Sequence, residues 1–192
     1  MLSFKWIMPT DFAVIEPQPP DPSWPRYSTR LFPIYRFVPG RSRHPRRDPK
    51  GHSCGQPERK PTLLPPEQWS QSDDYLYGID LYNYAYWWEC HEVFEGLWQE
   101  AGPDTEQGNF LQALIQLAAA NLKDFMGSHR AARNLKRSGL LRLQKVPDSY
   151  MGIDVANLAE ELRRGMSCSH ERAPSIRLSI PNREIGGIRT SS

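Results

Sequence analysis

The sequence has few cysteines and no long apolar run. Its three cysteines, Cys54, Cys90 and Cys168, are odd in number and lack the spacing of a metal site or a disulfide framework. We therefore expect reduced thiols and a cytoplasmic protein. No segment approaches the roughly 20 apolar residues of a membrane span, and the first residues lack the basic and apolar regions of a secretory signal. Membrane association is accordingly not expected.

The sequence also lacks a glycine-rich phosphate loop, a GxSxG elbow and a Cys/His pair at a recognisable spacing. These absences give no indication of an enzyme with a nucleophilic side chain. Prolines are abundant but unevenly placed, because 14 of the 18 lie within residues 1–66. Helices do not tolerate proline at that density, so residues 1–66 are predicted to be a mostly non-helical N-terminal arm.

Two segments outside the helical part have strand-like patterns. Residues 31–38 are predicted to form a short edge strand, because Pro33 cannot donate a hydrogen bond from a central position. Residues 175–180 alternate weakly between apolar and polar residues and are expected to pair with that strand. Otherwise they belong to a loose C-terminal tail, residues 166–192.

Charge of opposite sign separates the arm from the region that follows it. Residues 26–60 contain ten Lys or Arg and two acids, whereas residues 67–107 contain ten carboxylates and no Lys or Arg. We therefore expect the arm to pack on the acidic region and neutralise it. Binding of the arm to nucleic acid is the less favoured interpretation, because the acidic region would repel phosphates.

The helical signals lie between residues 67 and 165. Residues 107–122 contain no charged side chain, which predicts a helix in the centre of a bundle. Gly102 and Pro103 predict the end of the preceding helix, Asp104 or Thr105 is predicted to cap the central one, and a break is expected at residues 83–86. Asp80 and Asp154, each after a Gly-Ile pair, are predicted to be N-caps. A basic helix at residues 129–145, with Lys136 facing outward, and a final helix at residues 154–164 complete an all-α bundle of five or six helices.

One helix combines aromatic residues with metal-binding residue types. Trp87, His91, Glu95 and Trp98 are spaced i, i+4, i+8 and i+11, which places them on one helical face. An imidazole and a carboxylate four residues apart can chelate Zn, Mn or Fe. Two ligands do not retain a metal, so further ligands would have to come from elsewhere. The candidates are His44, His52 and Asp48 in the arm, and Glu92 on the same helix.

Two functions are compatible with this pattern. In the first, the chain is a metal-binding domain or a metal-dependent hydrolase, with His91 and Glu95 as ligands and Glu92 or a bound water as the base. In the second, the chain is a non-catalytic helical interaction module, and a desolvated His91–Glu95 bond supports the fold. The residues leave open which of the two applies, what the partners are, and whether the chain forms a homo-oligomer.

Residues 86–98 and 110–120 together resemble the bacterial and archaeal family called domain of unknown function 309. His91, Glu95 and Trp98 match its HxxxExx(W/Y) signature, and residues 110–120 match a second signature with Ala113 where glycine is usual. Residues 39–53 resemble the longer members, so that the resemblance covers residues 31–165. It implies an all-α domain and a motif proposed to bind metal, without an established activity. It also implies that Gln112 and Gln116 face the interior near the motif.

Overall fold

The computed structural model describes residues 16–57, 59–167 and 172–180. Within these ranges the protein is a helical bundle, as the sequence predicts. A short 3-10 helix (Pro66–Gln71) precedes five α-helices: α1 (Asp73–Asn83), α2 (Trp87–Ala101), α3 (Glu106–Phe125), α4 (His129–Leu143) and α5 (Val155–Ser167). Between α4 and α5, β1 (Ser149–Tyr150) pairs antiparallel with β2 (Ile153–Asp154).

Several predicted helix boundaries are confirmed. The break at residues 83–86 contains Ala85, whose φ of 65° is left-handed and ends the α-helical path. Helix α2 ends at Ala101, directly before the predicted Gly-Pro stop. The Thr105 hydroxyl accepts a hydrogen bond from the Gly108 N–H at 2.9 Å and caps α3. The Asp154 carboxylate likewise accepts one from the Asn157 N–H at 2.9 Å at the start of α5.

Helix α3 occupies the centre of the bundle, as its lack of charge predicts. It packs against α2 on one side and α4 on the other, and most of its side chains are buried. Gly139 on α4 permits a close approach, because a Cβ there would lie 3.2 Å from Leu117 of α3. Lys136, predicted to face outward, is instead buried and forms an ion pair with Asp124 at the end of α3. That prediction was wrong because the carboxylate provides a buried partner for the ammonium group.

Asp80 was also predicted wrongly, since it is not an N-cap. The Ser72 hydroxyl already caps α1 at Tyr75, so Asp80 lies inside the helix and is fully buried. Its carboxylate accepts hydrogen bonds from the Arg26 side chain at 2.8 Å and from the Tyr27 and Ser28 N–H groups at 2.9 Å. These bonds attach the arm to α1.

The arm makes no strand at residues 31–38, because side chains of the helices take up its backbone groups. The Tyr77 and Tyr86 hydroxyls donate to the Leu31 and Pro33 carbonyls, and the Phe37 N–H donates to Glu89. Arginines of the arm pair with acids of α1: Arg30 contacts Asp74 at 2.9 Å and Arg59 contacts Asp74 at 3.1 Å.

Residues 175–180 form neither the predicted strand nor a loose tail. The Ile176 N–H and carbonyl both bond to the Asn83 side chain, at 2.7 and 2.8 Å, and Ile176 is buried. Cys168 and the other tail residues at 168–171 and 181–192 lie outside the described residues. Within the described part of the chain, no helix is long and apolar enough to span a membrane.

Candidate functional site

Helix α2 carries two separate groups of ionisable side chains. The first, here called the helix cluster, consists of His91, Glu92 and Glu95. The second, here called the His52–Glu89 pair, joins Glu89 of α2 to His52 of the arm. The two groups differ in burial, in hydrogen bonding and in the chemistry that each allows.

The helix cluster brings together three metal-binding residue types within one and a half turns. The His91 Nδ1 lies 3.8 Å from a Glu92 oxygen and 3.8 Å from a Glu95 oxygen. One ligand atom of each residue lies within 4.8 Å of the other two. Ligands of one tetrahedral Zn²⁺ are about 3.4 Å apart, given zinc–ligand bonds near 2.1 Å. Small side-chain rotations would therefore bring all three atoms to coordinating distance.

The helix cluster is open to solvent, in contrast to the desolvated pair of the second interpretation. The His91 and Glu95 side chains are 34% and 43% exposed. A separation of 3.8 Å is too long for a hydrogen bond. Of the two flanking indoles, Trp87 is buried and donates to the Tyr82 carbonyl at 3.1 Å, whereas Trp98 is half-buried. An exposed pair of this kind contributes only about 0–1 kcal/mol to stability.

The His52–Glu89 pair is buried. The His52 Nε2 lies 3.2 Å from Glu89 Oε1, and the two side chains are only 8% and 7% exposed. The His52 Nδ1 lies 2.8 Å from the Ser53 hydroxyl. If the hydroxyl donates to Nδ1, the proton of a neutral imidazole lies on Nε2 and points at Glu89. Glu89 Oε1 also accepts the Phe37 N–H at 3.0 Å, but Glu89 Oε2 is buried and has no hydrogen-bond partner in the part of the chain that the structure describes.

The other predicted residues of the arm have structural contacts of their own. The His44 Nδ1 accepts from the Arg46 and Arg47 N–H groups at 3.2 and 3.3 Å, and its ring packs edge-on against Trp88. Asp48 accepts the Lys50 N–H at 2.8 Å within the same loop. Among the described residues, the three-ligand group includes neither His44, His52 nor Asp48. The structure therefore brings His52 to Glu89 rather than to His91 and Glu95.

A pocket of about 360 Å³ lies between the arm and α2. Glu89 and His52 line it, and Glu92 of the helix cluster forms part of the same wall. The other lining side chains on the α2 side are apolar or aromatic, namely Trp88 and Val93. The lining on the α1 side includes Arg30 and Arg59. The two groups of ionisable residues on α2 thus meet at this pocket through Glu92.

The remaining motif residues contribute buried polar atoms. Gln112 and Gln116, which the resemblance places toward the interior, are half-buried on α3. The Gln116 Oε1 and the Trp98 Nε1 are both buried and have no hydrogen-bond partner among the described residues.

Sequence reasoning missed Glu89 as a site residue. Its signal in the sequence is weak, because it lies one turn before Glu92 and two residues before His91 and has no partner nearby in the chain. Cys90, the next residue, is fully buried. Burial, with a smaller contribution from Glu89, raises the pKa of its thiol well above the ordinary value. It is therefore a core residue.

The fold and the helix cluster together define the class of protein. It is an all-α bundle whose second α-helix carries a group of one His and two Glu residues. Residues 75–135 match the family model described as Domain of unknown function (DUF309). These residues are therefore similar to this family, and they include the segments 86–98 and 110–120 on which the resemblance rests. The matched segment includes Glu89 and the whole helix cluster, whereas His44, His52 and Asp48 lie outside it. A search of curated proteins finds no match to the chain.

Proposed function

We propose that the helix cluster binds a divalent transition metal and that this is the primary function of the site. The observation that supports the proposal is the convergence of one imidazole nitrogen and two carboxylate oxygens within 4.8 Å. A nitrogen with two oxygens suits Zn²⁺, Mn²⁺ or Fe²⁺ rather than a soft, thiolate-dependent metal. Three protein ligands would leave a coordination position for water or substrate.

The exposure of the cluster supports ligand binding over a structural role. A His91–Glu95 pair that is one-third to two-fifths exposed and not hydrogen-bonded does little for the fold. The interaction-module alternative needs that pair to be desolvated, so the geometry gives it less support than the metal-binding proposal.

A hydrolytic reaction is the finer form of the proposal. A metal in the helix cluster would lower the pKa of a bound water and supply the nucleophile. Glu92 then has two alternative roles, as third ligand or as general base, because its carboxylate adjoins His91 and lines the pocket in which a substrate would lie. His44 and His52 are not needed as ligands in this form.

The test is metal binding by protein purified without a histidine tag. We expect calorimetric titration with Zn²⁺ and Mn²⁺ to give one site per chain, and His91→Ala or Glu95→Gln to weaken it at least tenfold. His129→Ala is the matched control, since His129 also lies 3.2 Å from an acid, Asp124, but on another helix. Because the pair adds little stability, the variants should keep the unfolding temperature of the unsubstituted protein.

Two results would contradict the proposal. One is the absence of stoichiometric binding by either metal. The other is that the His91→Ala variant binds the metal as tightly as the His129→Ala control does. The metal would then be bound by a different set of ligands.

A further inference from the structure

The pocket between the arm and α2 borders a buried hydrogen-bond acceptor that no described residue uses. Glu89 lines this pocket and is buried; its Oε1 receives the Phe37 N–H and the His52 ring, whereas its Oε2 has no partner among the described residues. A carboxylate oxygen buried without a donor is costly to the fold. Because the Glu89 side chain lines the pocket, a ligand toward which Oε2 turns would bring the missing donor.

The charges around the pocket favour a cationic donor. Arg30, Arg46 and Arg59 line the pocket. Arg30 and Arg59 both contact the Asp74 carboxylate of α1, at 2.9 and 3.1 Å, and Arg46 is likewise engaged. Arg30 also lies over the Tyr77 ring at 3.8 Å. On the α2 wall, in contrast, the two charged side chains, Glu89 and Glu92, are both carboxylates. His52 contacts Glu89 but not Glu92.

The remaining walls favour an apolar body behind that donor. Phe32, Trp88 and Val93 border the pocket close to Glu89. The Trp88 indole in this wall is a favourable contact for a cation or a flat hydrocarbon group. A volume of about 360 Å³ is at the lower end of the range for small-molecule sites.

We propose that this pocket binds a small organic cation, an ammonium group on an apolar or aromatic body, with the ammonium hydrogen-bonded to Glu89 Oε2. The site is separate from the metal site proposed above, with which it shares only Glu92. A metal ion is a poorer occupant, because the His52–Glu89 pair offers two ligand residues and is not part of a three-ligand group among the described residues.

Benzylamine is a suitable probe, with benzoate as the anionic and benzyl alcohol as the neutral counterpart of similar size. Binding is measured by calorimetry and by the change in protein NMR resonances around Trp88. We expect benzylamine to bind at least tenfold more tightly than benzoate or benzyl alcohol. Glu89→Gln keeps an acceptor for the Phe37 N–H but removes the negative charge, and should weaken benzylamine binding at least tenfold.

Two further variants make the result decisive. Val93→Trp fills the pocket without touching the carboxylate, and should abolish benzylamine binding even if Glu89→Gln fails to fold. His91→Ala should lose metal and keep benzylamine, whereas Glu89→Gln should keep metal and lose benzylamine. The proposal is overturned if benzylamine does not bind, if the three probes bind equally, or if Val93→Trp binds benzylamine as well as the unsubstituted protein does.

Discussion

At the scale of single residues, neighbours on α2 have opposite environments. Glu89 faces the pocket and the arm, whereas Cys90 lies in the core with no exposed surface. Since the thiolate is the reactive form, a raised pKa leaves less of it at a given pH, and burial also excludes the reagent. Cys54, in the arm, is only half-buried. The two thiols should therefore differ strongly in reactivity.

We predict that iodoacetamide at pH 8 labels Cys54 at least 100-fold faster than Cys90 in the folded protein, as followed by mass spectrometry of the peptides. The measurement is made on a Cys168→Ser variant, so that only these two thiols compete. In guanidinium chloride the two rates should become similar, because unfolding removes the burial that raises the Cys90 pKa. Equal rates in the folded protein would show that Cys90 is accessible.

The site residues that were predictable from the sequence are those whose partners are local. His91 and Glu95 were identified because a spacing of four residues makes neighbours on any helix. Glu89 was not, because its partner His52 lies 37 positions earlier. Only the path of the arm, fixed by contacts such as those of Asp80, brings the two together.

At the scale of elements, the helix ends follow local chemistry and were largely predictable. Thr105 and Asp154 act as caps because the next turn of chain supplies the N–H group that each one accepts. Asp80 has the same residue type and the same Gly-Ile context as Asp154, yet it accepts from the arm instead. A cap and a buried tertiary acceptor look alike in the sequence, and the difference lies in a segment about 50 residues away.

Two helical glycines allow the packing of α1 on α2 and of α4 on α3. A Cβ at Gly78 would lie 2.5 Å from Phe94, a fully buried ring. A Cβ at Gly139 would lie 3.2 Å from a terminal methyl of Leu117, a contact that a shift of a few tenths of an ångström would relieve. Replacing glycine by alanine inside a helix otherwise stabilises by about 1 kcal/mol. The two positions should therefore respond with opposite sign.

We predict that Gly78→Ala lowers the free energy of unfolding by about 1–3 kcal/mol, as overpacking of a core does. Gly139→Ala should be neutral or stabilising by up to about 1 kcal/mol. Urea denaturation followed by circular dichroism measures both. A Gly78→Ala protein as stable as the Gly139→Ala protein would mean that α1 and α2 are less closely packed than described.

At the scale of the whole molecule, both flanking segments are attached to the same helices. The arm reaches α1 through Asp80, and residues 172–180 reach it through Asn83, about one turn further along the same helix. The two flanking segments also contact each other, since the Trp24 indole donates to the Ile176 carbonyl at 3.1 Å and the Tyr27 hydroxyl accepts the Leu178 N–H at 3.0 Å. Opposite charges account for the ion pairs of Arg30 and Arg59 in the arm with Asp74 of α1. The contacts of residues 172–180 use uncharged groups, and composition gave no indication of them.

Asn83 should therefore control the attachment of residues 172–180. It is buried, and Asn83→Ala leaves the Ile176 N–H without its acceptor, which costs about 1–3 kcal/mol if the N–H remains buried, whereas the Ile176 carbonyl keeps the Trp24 indole as a donor. The segment would relieve that cost by detaching, which exposes the backbone at Arg177.

We expect trypsin to cleave after Arg177 at least tenfold faster in Asn83→Ala than in the unsubstituted protein. Asn157→Ala is the matched control, because Asn157 is exposed on α5 and bonds only to nearby residues. Equal cleavage in the two variants would show that other contacts, such as the Ala173 N–H bond to Asn121, hold the segment without Asn83.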